Sequence, residues 1–111
     1  MAAGDPRSLL AAFMQAEDRK DIGGLVALFA PDGVVEDPWG TVHRGHEAIR
    51  AVLSQVIPPL KIGRVKSLVK ADGWWLINRV LGGPFAEETL LRDVVQVKDG
   101  RVVSLKVEFV E

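Results

Sequence analysis

The chain has 111 residues, 48% of them hydrophobic and 26% charged, with a formal net charge of −1. That length and balance specify a single globular domain, residues 1–111, and provide no basic surface for nucleic acid or an anionic membrane. Cysteine is absent and His43 and His46 are the only histidines, so disulfides, thiolate chemistry and a metal site are not expected. The opening Met1-Ala2-Ala3-Gly4-Asp5 has no basic stretch ahead of an apolar run, and no segment approaches the roughly 20 apolar residues of a membrane span. A cytoplasmic location is therefore expected.

Asp5-Pro6 reads as a helix cap with proline at the first helical position, followed by Leu9, Leu10, Phe13 and Met14 at helical spacing. The polar run Glu17-Asp18-Arg19-Lys20 closes that helix. Asp21 caps a second helix with the stripe Ile22, Leu25, Val26 and Phe29. Ala30-Pro31-Asp32-Gly33 reads as a turn, Val34 to Asp37 as a strand, and Pro38-Trp39-Gly40 as a corner before Thr41-Val42-His43. After Arg44-Gly45, Ile49, Val52, Leu53 and Val56 form the stripe of a third helix, which Pro58-Pro59 ends.

Beyond that point the period becomes two. Lys61 to Ala71 reads as a strand with a bulge at Gly63, and Asp72-Gly73 as a hairpin turn. Trp74 to Leu81 has large apolar residues on both faces, so its inward face stays open. Gly82-Gly83-Pro84 breaks the chain, Ala86 to Val97 is a strand, and Lys98-Asp99-Gly100 turns into a final strand. Helices gathered first and hairpin-linked strands last predict an α+β domain with the sheet curling over the helices.

Two acids stand out. Side chains alternate along a strand, so Glu36 and Asp37 point to opposite faces, and Pro38 ends the strand beside them. One carboxyl is then aimed at an apolar interior next to Trp39, as a general base requires. The alternative is that Asp37 bonds its own backbone in an Asp-Pro-Trp-Gly turn. In the strand ending at Val97, Asp93 shares a face with Leu91, Val95 and Val97. A carboxyl in such company must be paired, hydrogen-bonded or protonated. Either it is a functional acid, or it meets a backbone amide or a base such as Arg79 and fixes register. In the final strand Val103, Leu105, Val107 and Phe109 share the expected inner face.

Three runs carry a resemblance: Ala27 to Pro38, Gly45-His46-Glu47-Ala48-Ile49-Arg50, and Asp93 to Val97 together with Asp99-Gly100-Arg101-Val102-Val103-Ser104. Over nearly the whole chain the sequence resembles the nuclear transport factor 2-like superfamily, and within it the ketosteroid isomerases and the SnoaL-like polyketide cyclase group. The resemblance implies a cystatin-like cone, in which a curved antiparallel sheet wraps three helices around an internal apolar pocket, and it implies a homodimer formed through the sheet. In ketosteroid isomerases the Asp of a Glu-Asp-Pro sequence shuttles a proton, a position matched here by Asp37. A second Asp, kept protonated by its apolar site, donates to the dienolate oxygen and is matched by Asp93.

The departure lies on the first helix. The isomerases place a tyrosine there as a further oxyanion donor; this chain has Phe13 at that position and no tyrosine at all. Losing one such donor costs on the order of 10²–10³ in turnover. Trp39, Trp74, Asn78 and His43 are the candidate replacements, each with a plainer structural role as its alternative. The limonene epoxide hydrolase branch fits less well, because Leu81 stands where its Asp-Arg-Asp constellation needs an acid.

The expectation is a ketosteroid-isomerase-like enzyme that transfers a proton on a flat, apolar carbonyl compound, with Asp37 as base and Asp93 as neutral acid. Phe13, Trp39, Val95 and Phe109 would line the pocket, and no cofactor would be needed. The competing expectation is a non-catalytic ligand-binding or dimerisation domain of the same fold.

Overall fold

The computed structural model describes residues 5–111; residues 1–4 of the expected domain lie outside the described residues. Helix α1, Pro6–Asp18, starts where expected: Asp5 is extended and its carboxylate accepts from the Ser8 amide at 2.9 Å. It buries Leu9, Leu10, Phe13, Ala16 and Glu17. Helix α2 is short, Ile22–Ala27, and is capped by Asp21 on the Gly24 amide at 2.9 Å.

Strand β1 runs Phe29–Glu36 and β2 Val42–Arg44, followed by α3, Gly45–Val56. Four strands complete the chain: β3 Lys61–Lys70, β4 Gly73–Gly82, β5 Phe85–Lys98 and β6 Arg101–Phe109. They form one six-stranded sheet in the order β2-β1-β6-β5-β4-β3. The architecture is α+β, a curled sheet against three helices.

Phe29, Leu25, Val26, Ile49, Trp74, Leu76, Val95 and Val102 are essentially inaccessible to solvent and form the centre of the core. Phe13 meets the Trp74 ring edge-on, with centroids 5.8 Å apart. On β4 the inward row is Trp74, Leu76, Asn78 and Val80, which settles the face left open by the sequence. Past the end of α3 the Lys20 ammonium donates to the carbonyls of Ile57 and Leu60. This ties the α1–α2 corner to the far end of α3.

Five expectations are corrected. Phe29 does not extend the α2 stripe but opens β1, paired with Val102. The segment Ala30 to Gly33 is part of β1 and not a turn between elements, with a register shift between Phe29 and Val34. The sheet is not wholly antiparallel, since β1 and β6 run parallel, Val35 beside Leu105. The β3 irregularity falls between Arg64 and Lys66, with Val65 as the extra residue, and not at Gly63. An irregularity between Gln96 and Val97 leaves Val103 unpaired in the β5–β6 register, so that fully buried Val102 takes the inward position expected of Val103.

Candidate active site

The helices and the inner face of the sheet enclose a cavity of ≈ 120 Å³. Its wall is mostly aliphatic, from Leu53 and Val56 on α3 to Leu91 and Val107 on the sheet. Four polar residues reach it: Asp37, Glu17, Asn78 and Asp93. Both acids singled out from the sequence therefore line one hollow, although 56 positions separate them (93 − 37).

Asp37 follows β1 directly and is the pivot of the turn into β2. One carboxylate oxygen, Oδ1, accepts from the amides of Trp39 and Thr41, both at 3.0 Å. The other, Oδ2, lies 3.1 Å from His43 Nε2. The two readings of Asp37 are thus compatible, for it organises the turn and faces the cavity. Partial burial alone would raise its pKa. The His43 hydrogen bond and the Thr41 and Trp39 amides outweigh that, so the carboxyl is held below its ordinary value.

Asp93 is buried in the middle of β5, opposite Leu76 on one side and Val107 on the other. Its Oδ2 accepts from Asn78 Nδ2 at 3.3 Å. Burial pushes its pKa well above the usual carboxylate value, and the nearby Glu17 carboxyl pushes it further; Arg64 and the Asn78 amide oppose the shift. The basic partner is therefore not Arg79, which pairs with exposed Glu88 at 3.2 Å.

Behind Asp93 lies a network that the sequence reading missed. Arg64 NH1 donates to Glu17 Oε1 at 2.8 Å and to Asn78 Oδ1 at 3.2 Å. Arg64 NH2 donates to Asp18 Oδ1 at 3.0 Å and to the Met14 carbonyl at 3.3 Å. Burial raises the Glu17 pKa as well, against the charge and hydrogen bond of Arg64. One guanidinium serves two buried acids, and it touches Glu17 directly but reaches Asp93 only through Asn78. The favourable arrangement is an ionised Glu17 on Arg64 and a proton on Asp93. With Oδ2 accepting from Asn78, Oδ1 is the oxygen left to carry that proton.

The expected lining residues divide. Phe13 is on the wall. Trp39 is on the wall at the mouth, 60% exposed, and stacks on Phe85 at 5.7 Å with 17° between the rings. Phe109 is displaced to the rim, edge-on to Trp39 at 5.8 Å, because β6 outruns the cavity. Val95 belongs to the core and not to the wall: past Asp93 the inward row of β5 continues behind the cavity, against Trp74 and Leu105.

Of the candidate replacement donors, Asn78 is on the wall but its amide is given to Asp93, and His43 is given to Asp37. The Trp74 indole NH is buried with no partner among the described residues, and it lies off the cavity wall. A signal for Glu17 was present, since it follows Phe13 by four residues and continues the apolar stripe. Arg64 shares a strand face with Ile62, the only hint available at that position. Among the described residues no group of three or more His, Cys, Asp or Glu is placed to hold a metal ion. No helix among them is long and apolar enough to cross a membrane.

Comparison with known proteins agrees with this architecture. The sequence model of the SnoaL-like domain family matches residues 10–105. No curated protein matches in sequence. A Sinorhizobium meliloti structure with a provisional polyketide cyclase name is 26% identical, covering 90% of this chain and 93% of that one, with a TM-score of 0.79. A Pseudomonas aeruginosa structure named steroid delta-isomerase is 24% identical, covering 96% and 80%, with a TM-score of 0.82. An NTF2-like protein of unknown function from Cytophaga hutchinsonii is 16% identical, covering 98% and 93%, with a TM-score of 0.83. At identities below 25%, the last two speak to the fold alone.

Proposed function

This chain belongs to the SnoaL-like domain family, and from that premise we propose that it is an enzyme moving a proton at a carbon beside a carbonyl group in an apolar compound. The carrying observation is that two carboxyl groups with opposed pKa shifts line a single, mostly aliphatic cavity. Ionised Asp37 accepts the proton from the α-carbon, and the C–H electron pair moves into the enolate. Protonated Asp93 donates a hydrogen bond to the enolate oxygen, and Asp37 returns the proton to the α-carbon or, in a β,γ-unsaturated substrate, to the γ-carbon. These steps balance without a cofactor. The polyketide cyclase name of the Sinorhizobium meliloti structure, 26% identical, supports the reading as an enzyme.

The test is exchange of the α-protons of a small cyclic ketone in deuterated water, followed by NMR. Asp37→Asn should abolish exchange while leaving the fold intact; equal rates for wild type and variant would refute the base assignment. The second reading, a non-catalytic ligand-binding domain, has its own support. All the hydrogen bonds of Asp37 are already committed to the turn, and Phe13 brings no hydroxyl.

For the outer face of the sheet we propose a second copy of this chain as partner. Leu68, Trp75, Leu81 and Leu90 are exposed there, on the face of β3, β4 and β5 turned away from the helices. Arg92 and Lys70 flank the Trp75 ring at 5.3 and 5.9 Å from its centroid.

A further inference from the structure

We infer that the compound this site takes is a single-ring or short-chain carbonyl of about six to eight non-hydrogen atoms, and not a tetracyclic one. The inference rests on the proton-transfer reading above and narrows its substrate. The cavity of ≈ 120 Å³ is somewhat smaller than the roughly 150 Å³ that accommodates one benzene ring. It falls well short of the roughly 300 Å³ at which pockets for larger organic ligands begin.

The walls resist enlargement. The floor holds the Glu17, Asn78 and Asp93 side chains, cross-linked through Arg64, and none can leave without stranding a buried charge or amide. The α3 side ends in Ile57 and Leu60, whose carbonyls are both held by Lys20. On the α1 side Phe13 is backed by the Trp74 ring. Only the mouth remains. There Trp39 of the β1–β2 turn stacks on Phe85 at the start of β5, with Phe109 edge-on to both. Three rings across the opening set the length of what fits beneath them, and Trp39 is the most exposed of the three.

Isothermal titration calorimetry with two phenols, both enolate mimics, tests the proposal: 4-fluorophenol, with eight non-hydrogen atoms, and a tetracyclic steroid phenol. The wild type should bind the single-ring phenol at least about tenfold more tightly. Trp39→Ala, at an exposed site that leaves the core intact, should raise the affinity for the tetracyclic phenol by about tenfold or more. Equal or tighter binding of the tetracyclic phenol to wild type overturns the size limit. If that binding is lost in Asp93→Asn, the proton-transfer reading survives the failure. Binding of neither phenol overturns the inference as well, and α-proton exchange then judges the reaction separately.

Discussion

The Asp37 carboxylate and the His43 ring face each other across the β1–β2 turn, Oδ2 to Nε2 at 3.1 Å, and that contact is one of those that hold the basicity of Asp37 down. A proton acceptor works best when its pKa lies near the working pH, and this one is held low by His43 and two amides. His43→Ala removes one of the three restraints, so the Asp37 pKa should rise. The acid limb of the pH–rate profile should move to higher pH relative to wild type. An unmoved limb would show that His43 serves only the turn.

Asp93 makes stability depend on pH. In the unfolded chain its carboxyl titrates near about 3.9, and burial in the fold raises that value. Its contribution to stability is fully present below the unfolded value and is lost as pH rises through the folded one. Asp93→Asn keeps the volume and can still accept from Asn78, but carries no charge. Its stability relative to wild type should therefore improve from about pH 4 upward, as read from urea unfolding across the pH range. Proton-transfer activity should fall in the same variant.

Arg64→Met should strand the Glu17 carboxylate. Breaking a fully buried pair costs roughly 3–5 kcal/mol, and because Arg64 and Asp18 retain water contact we expect about 2–4. Adding Glu17→Gln should recover part of the loss. A double-mutant cycle by chemical denaturation measures the coupling.

Gly73 lies where β4 approaches β5, and a methyl group there would run into the Val95 carbonyl oxygen. Gly73→Ala should unfold the protein or lower its melting temperature severely, since backbone and not a flexible side chain stands in the way. A melting temperature within a few degrees of wild type would mean that the strands can separate at that point.

Trp75→Asp tests the proposed pairing of two copies. Sedimentation velocity should give a dimer for wild type and a monomer for the variant, with circular dichroism unchanged. A monomeric wild type at micromolar concentration would end that proposal.

The helices were legible because a 3.6-residue apolar period is a local signal: the stripes through Leu9, Leu10 and Phe13 and through Ile49 and Leu53 are the faces that α1 and α3 bury. The positions of Asp37 and Asp93 were legible because a carboxylate among β-branched residues demands explanation. Ala30 to Gly33 was not, because Pro31 and Gly33 look turn-like locally. A Cβ at Gly33 would press on the Ala30 carbonyl and the Phe29 ring nearby and on the Val102 carbonyl of β6, and the last of these comes from distant chain. Strand direction leaves no local mark either, so the parallel β1–β6 pair was invisible. The Glu17–Arg64 contact joins residues 47 positions apart, and no spacing rule links them.

The parallel pairing of β1 with β6 carries a consequence for how the molecule is made. Val35 finds its neighbour Leu105 only 70 positions later (105 − 35). Such distant partners slow folding, since a long loop must close before the contact returns anything. On the ribosome, α1, α2 and β1 must wait with one edge bare until β6 has emerged, and the strand that delivers Asp37 is among the last fixed in place. That exposed interval is when the nascent chain is most prone to aggregate.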